Sequence, residues 1–289
     1  MVSTQITAEQ KNKILEQYVN SAKGRSIIAS SLQQPLRTRR DYSSVIRKLY
    51  LVDVLPNGSL PVYEKDINAK AYVVGEEGDS ISVFIKGQRV LFPLFELTAL
   101  PEIPLTEITN RRFDVIERTV KKHTSEIGYE EDRKGLATID AMLDDETAPN
   151  KDIVIAGNMT APALADAFAC IEDGDLRVQY ILCNPKDFSD IRKWDRDTLD
   201  PVSQAELLKT GVRSQLWGAN IVVSVAVPKG TVYVTAEPEF FGRIPVRYDL
   251  TVISADTPKT RTIGFSMFEN IGIGNFNPKG AVRLKIVRE

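Results

Sequence analysis

Imidazole and thiol are nearly absent from this chain. Its 289 residues include one histidine, His123, two cysteines, Cys170 and Cys183, and no CxxC pair. A single imidazole restricts any Ser-His-Asp or Cys-His site to position 123. It also leaves zinc and iron sites built from His and Cys without a ligand set. Two cysteines make no disulfide framework, and a reducing compartment with both as small buried hydrophobes fits them. Long hydrophobic runs are missing too. SQLWGANIVVSVAVP, the longest uncharged run, is too short to span a bilayer and ends at Pro228. The opening MVSTQITAEQKNK has no apolar segment of the secretory kind. A formal net charge of −2 gives no global basic field for nucleic acid.

What is present describes a folded chain with a real core: 43% hydrophobic and 26% charged residues. His123 lies in RFDVIERTVKKHTSEIGYEEDR, where Phe113, Ile116, Val120, His123 and Ile127 repeat at helical spacing, so it reads as a packing residue on one helix face. The acidic runs Glu76 to Asp79 and Asp144 to Glu146 read as solvated turns.

The glycines of ENIGIGNFNPKG suggest half of a phosphate-binding loop. Gly-x-Gly-x-x-Gly followed by a helix is what the chemistry needs. Here Asn277 stands at the third glycine, and AVRLKIV alternates as a strand. The stretch therefore reads as a strand, an NPKG turn and a returning strand, with glycines where another backbone approaches closely.

Along the chain, a short helix is expected from Thr7 to Gly24, followed by a polar, flexible SSLQQPLRTRRDYSS. Residues 1–50 hold nine Lys/Arg and three Asp/Glu, whereas residues 101–150 hold seven and twelve. That complementarity predicts that the arm's arginines pair with acidic protein surface. Residues 60–97 read as a long two-stranded ribbon with its turn at GEEGD, apolar on both faces. Residues 105–144 read as a long amphipathic helix, with breaks considered at Gly128 or Gly135, supported by the i,i+4 pairs Asp114/Arg118 and Glu117/Lys121. Residues 150–260 read as compact α/β. Pro162 sits at the start of a helix carrying Leu164, Phe168 and Ile171, and Asn184-Pro185 opens another.

In this order, the pieces resemble the tailed-bacteriophage major capsid proteins, whose icosahedral shell fold is shared with encapsulins. LQQPLRTRRDYSSVIRKLYLVDVLPNGSLPVYEKD is similar to their arm and extended loop. GQRVLFPLFELTALPEIPL with the helix after it is similar to the loop's return into a spine helix. YILCNPKDFSDIRKWDRDTLDP, LLKTGVRSQLWGANIVVSVAVPKGTVYV and AEPEFFGRIPVRYDL are similar to the axial domain.

The resemblance implies an α+β fold: an N-terminal arm (1–50), an extended β-hairpin loop (51–100), a peripheral domain with the spine helix (101–150 and 262–289) and an axial α/β domain (151–261). It implies a shell of hexamers and pentamers around double-stranded DNA contacted non-specifically, with scaffolding, decoration and portal proteins as further partners. The place is the virion, assembled in the host bacterial cytoplasm. No catalytic residue, cofactor, metal or membrane is implied. An encapsulin-like compartment around a cargo enzyme is the alternative. Arg37, Arg39, Arg40, Tyr72, Glu76, Glu77 and Phe84 are the expected inter-subunit contacts. Some relatives join subunits by a Lys–Asn isopeptide bond assisted by a glutamate. Glu269 lies in the corresponding strand and Lys65, Lys70 and Lys86 in the loop, but PKTRTIGFSM contains no Asn acceptor.

Overall fold

The computed structural model describes residues 21–56, 58–64, 89–104, 106, 114–146, 148–194, 215–257 and 262–288. Its helices are α1 (Ala22–Ser43), α2 (Ile46–Leu49), α3 (Asp114–Leu143), α4 (Ala161–Glu172), α5 (Pro185–Ile191) and α6 (Pro238–Phe241). Its strands are β1 (Leu51–Val54), β2 (Val62–Glu64), β3 (Arg89–Leu91), β4 (Leu94–Ala99), β5 (Glu102–Pro104), β6 (Ile153–Ala156), β7 (Val178–Cys183), β8 (Gln215–Leu216), β9 (Ala219–Val223), β10 (Thr231–Ala236), β11 (Gly242–Thr257), β12 (Thr262–Gly272), β13 (Gly274–Asn275) and β14 (Ala281–Val287). Two compact units result. One comprises the described parts of Met1–Ser44, Leu94–Arg133 and Val246–Ile271; the other, those of Val45–Pro93, Lys134–Pro245 and Gly272–Glu289.

In the first unit, helix α1 occupies most of the stretch expected to be flexible. Ser21 caps it, its side chain accepting from the Gly24 amide at 3.0 Å, so Gly24 opens this helix instead of ending an earlier one. The segment 7–20 of the expected first helix lies outside the described residues. What conceals α1 in the sequence is its polarity: its inward stripe, Gly24, Ile28, Ala29, Leu32, Leu36 and Arg40, is narrow and ends in an arginine. That stripe meets Ile116, Val120 and Ile127 of α3. His123 is only half-buried, with Nδ1 2.9 Å from the Thr119 carbonyl, and Thr124 takes the buried position beside it. Phe113 and the side chains of Asp114 and Glu117 lie outside the described part of the chain.

Beneath the helices, β11 and β12 form an antiparallel pair running from Val246↔Ile271 to Thr257↔Thr262, with β4 and β5 along β12's other edge. Strand period puts Ile263, Phe265, Met267, Glu269 and Ile271 on one buried face. Residues 246–257 thus hydrogen-bond into this first unit.

In the second unit, one sheet runs β6-β14-β10-β7-β9-β8. Strand β14 lies antiparallel to β10 and parallel to β6. It does not return along β12: Gly272–Glu289 fall in the second compact unit, whereas Val246–Ile271 fall in the first. The 3-10 turn Pro278–Gly280, with Asn277 accepting from the Lys279 amide at 3.0 Å, redirects the chain before β14. Helix α4 packs Leu164, Ala167, Phe168 and Ile171 on this sheet at the expected spacing, each large side chain contributing about 1.5–3 kcal/mol by burial. Asn184 caps α5 by accepting from the Lys186 amide at 3.1 Å. Cys183 is buried, but Cys170 is exposed, contrary to expectation: it follows the buried Phe168 by two positions and so leaves the inward face of α4.

The C-terminal part of α3 also belongs to this unit and buries Leu136, Ile139 and Leu143. No break occurs at Gly128 or Gly135. Gly135 is where Ile46 packs: a Cβ there would lie 2.5 Å from Ile46 Cγ1. Gly274 serves in the same way, since a Cβ would lie 2.2 Å from the Phe92 ring.

Candidate assembly site

Two periodicities converge on one buried ion pair in the first unit. The four-residue stripe of α1 brings Arg40 inward, and the two-residue alternation of β12 brings Glu269 inward. Arg40 Nη1 donates to Glu269 Oε2 at 2.5 Å, and both side chains are fully buried. Arg40 Nη2 also donates to Asp249 Oδ1 at 2.7 Å and Asp41 Oδ1 at 2.8 Å. Burial alone would lower the Arg40 pKa; Glu269 and Asp249 outweigh it and raise it. Burial likewise pushes the Asp249 carboxyl up, while the charge and hydrogen bond of Arg40 hold it below the usual carboxylate range. Arg37 donates through Nε to the Leu250 carbonyl at 2.7 Å, with Asp249 Oδ2 3.3 Å away.

The expected trio of contact arginines therefore separates. Arg40 is corrected from a surface group to a core group, because its guanidinium is consumed inside its own chain. Arg37 is half-buried on Asp249. Arg39 alone is exposed and makes no ion pair among the described residues. Tyr72, Glu76, Glu77 and Phe84 lie outside the described residues, as do Lys65, Lys70 and Lys86. Sequence reading missed the Arg40–Glu269 pair. Its signal was present in Ile28, Leu32, Leu36, Arg40 on one side and Ile263, Phe265, Met267, Glu269 on the other.

The second unit holds two more arginine centres. Arg283, 5% exposed, binds Asp152 through Nε and Nη2, each at 2.8 Å, Asp140 at 2.9 Å, and Asp144. Tyr233 donates its hydroxyl to Asp140 at 2.8 Å, and Lys285 Nζ lies 2.6 Å from Asp152. Asp144, expected to be solvated, is thus an ion-pair partner; its hydrogen bond from Arg283 holds its carboxyl below the usual range. Arg288 joins Asp187 and Asp190, both at 2.7 Å. Asp187 in turn accepts from the Gly230 amide and Asp190 from the Met159 amide. These two carboxylates therefore pin backbone as well as charge. No group of three or more His, Cys, Asp or Glu could hold a metal ion, and no helix is long and apolar enough to cross a membrane, among the described residues.

The root of the expected ribbon is a two-stranded sheet of β2 and β3, paired Val62↔Leu91, Tyr63↔Val90 and Glu64↔Arg89. Tyr63, Phe92 and Phe276 form an aromatic cluster with ring centroids 5.1–5.7 Å apart. Tyr63 donates to Asp53 Oδ2 at 2.7 Å. Around this root Val54, Leu60, Val62, Leu91 and Phe240 are all exposed.

Solved structures with the same fold are shells. The capsid of the cyanophage P-SCSP1u aligns with a TM-score of 0.66 at 15% identity, over 86% of this chain and 89% of that one. The virus-like particle from Pyrococcus furiosus aligns at 0.60 and 16% identity, over 88% and 98%. The mature capsid of bacteriophage PhiM1 aligns at 0.58 and 14% identity, over 85% and 88%. No curated protein matches the chain. The fold is thus shared with the subunits of these capsids and of this particle. A profile described as phage capsid protein matches residues 103–284, more than half of the sequence, and the chain belongs to that family. It is a major capsid protein, a structural subunit of an icosahedral shell and a component of the virion.

Proposed function

We propose that copies of this chain close into hexamers and pentamers around packaged double-stranded DNA, touched non-specifically from the inner surface, in the cytoplasm of the host bacterium. The first unit acts as the peripheral domain and the second, through its β6–β14 sheet, as the axial domain. The segment 65–88, with Tyr72, Glu76, Glu77 and Phe84, lies over an adjacent subunit. Arg39 supplies an outward cation from α1. Scaffolding, decoration and portal proteins are further partners.

One observation carries this reading. The two strands at the ribbon's root pair with each other and with no third strand among the described residues. A lone two-stranded ribbon is marginal in water. Its exposed apolar residues therefore need a covering surface, which a shell supplies at every copy. The test is electron microscopy of the purified full-length chain, alone and co-expressed with its own phage's scaffold, plus nucleic-acid and protein analysis of any particle. Closed shells containing DNA in infected cells are expected. A monomer that stays monomeric at high concentration with scaffold present overturns the reading, and particles loaded with an enzyme cargo favour the compartment alternative.

A further inference from the structure

Beside the ribbon's root lies a cavity of about 330 Å³, walled by Val62 and Glu64 of β2, Glu239 and Phe240 of α6, Arg243 of β11, and Phe276. Its positive wall is held in place by aromatic rings. The Arg243 guanidinium carbon stands 5.6 Å from the Tyr63 ring centroid and 5.9 Å from that of Phe276, within cation–π range. Arg243 Nε is buried with no hydrogen-bond partner among the described residues, and Glu64 and Glu239 are exposed at the rim without an ion pair among them. Around the mouth, Val62 is 44%, Phe240 45% and Leu91 59% exposed. Interface hot spots have this make-up: aromatic walls, an arginine already stacked, and a polar rim.

We propose that this cavity is a socket for a second copy of the chain, taking an apolar side chain against its rings and a lysine or arginine against Glu64 and Glu239. The inference rests on the shell-forming reading, in which the surfaces a subunit meets are chiefly those of its own copies. Charge complementarity selects the incoming face: two unpaired glutamates at the rim call for a cation. The chain presents that chemistry. Ile27, 47% exposed, lies one turn from the exposed Lys23 on α1, and neither Lys23 nor Arg39 makes an ion pair among the described residues.

The test places a photo-crosslinking benzoylphenylalanine at Phe240, and in a second variant at Val62, in full-length protein. Particles are assembled from equal amounts of ¹⁴N- and ¹⁵N-labelled chains and irradiated. Mixed heavy–light adducts to a peptide carrying an apolar and a basic residue are expected. Adducts confined to one copy, for instance to its own 65–88 segment, adducts to a decoration protein, or no adduct from either position overturn the proposal. As a second measurement, Glu64→Lys with Glu239→Lys should cut particle yield at least tenfold with an unchanged melting midpoint of the unassembled subunit; normal yield overturns the proposal. If the unsubstituted chain forms no particle at all, the shell reading fails instead, so the two failures are distinguishable.

Discussion

At the residue scale, Arg40 and Arg39 are neighbours in sequence with opposite duties. Arg40 neutralises the buried Glu269 carboxylate and also holds Asp249. Arg40→Met removes the cation bonded to both carboxylates and should destabilise the unassembled subunit by roughly 3–5 kcal/mol in urea denaturation; adding Glu269→Met should recover much of the loss, since well-packed apolar residues replace buried pairs at little cost. Arg39→Ala should change subunit stability by less than about 0.5 kcal/mol, as exposed positions usually do, and show itself only in particle yield. The pH dependence follows from the same contacts. The Asp249, Asp152 and Asp190 carboxyls are held below their ordinary value against the opposing effect of burial, by Arg40, by Arg283 with Lys285, and by the Met159 amide with Arg288. A depressed folded pKa contributes stability that is fully present above the unfolded value of about 3.9 and is lost as pH falls through the folded values. The urea midpoint should therefore be flat from neutrality to about pH 5 and drop steeply below it. Arg40→Met should flatten that acid limb; an unchanged limb would remove Asp249 from the account.

At the scale of elements, α3 is the part whose packing depends on a single small residue. Gly135 lies under Ile46, and a methyl group added there would stand 2.5–2.8 Å from three of its side-chain carbons. Gly135→Val should cost about 1–3 kcal/mol by overpacking, without loss of helical circular dichroism, and Ile46→Ala in the same chain should relieve part of it. Helix α1 offers the converse test. Leu36 is 2% exposed at the centre of its inward stripe, and Leu36→Ala should cost about 2–5 kcal/mol in a thermal or urea melt. A near-neutral result would mean that α1 is not held by this face.

For the whole molecule, stability of the subunit and stability of the particle are separate quantities, and the proposed function assigns the ribbon to the second. Phe84→Asp is expected to leave the subunit's circular dichroism and melting temperature unchanged while preventing or weakening shells in the microscope. Collapse of the subunit itself would place Phe84 in an internal core, and intact shells of normal stability would remove it from the interface. Each contact needs to contribute only on the order of 2 kcal/mol, the value of one buried aromatic, because a closed shell repeats it at every copy.

The elements with strong local periodicity were legible in the amino-acid sequence. Leu164, Phe168 and Ile171 announce α4; Asn184-Pro185 announces α5; the alternation of AVRLKIV announces β14; Ile116, Val120 and Ile127 announce α3. Each depends on neighbours within a turn or a pleat, so the chain carries the information locally. The tertiary structure alone decided where β14 goes, because a strand's alternation says which face is buried and not which strand lies beside it. It alone decided that a polar stretch becomes α1, since the stripe Ile28, Leu32, Leu36 is too sparse to register until a core exists to receive it. And it alone turned Arg40 inward: its partners Asp249 and Glu269 stand 209 and 229 residues away along the chain. Whether such a charge faces solvent or core is settled by the register of two distant elements, a long-range quantity that no local pattern contains.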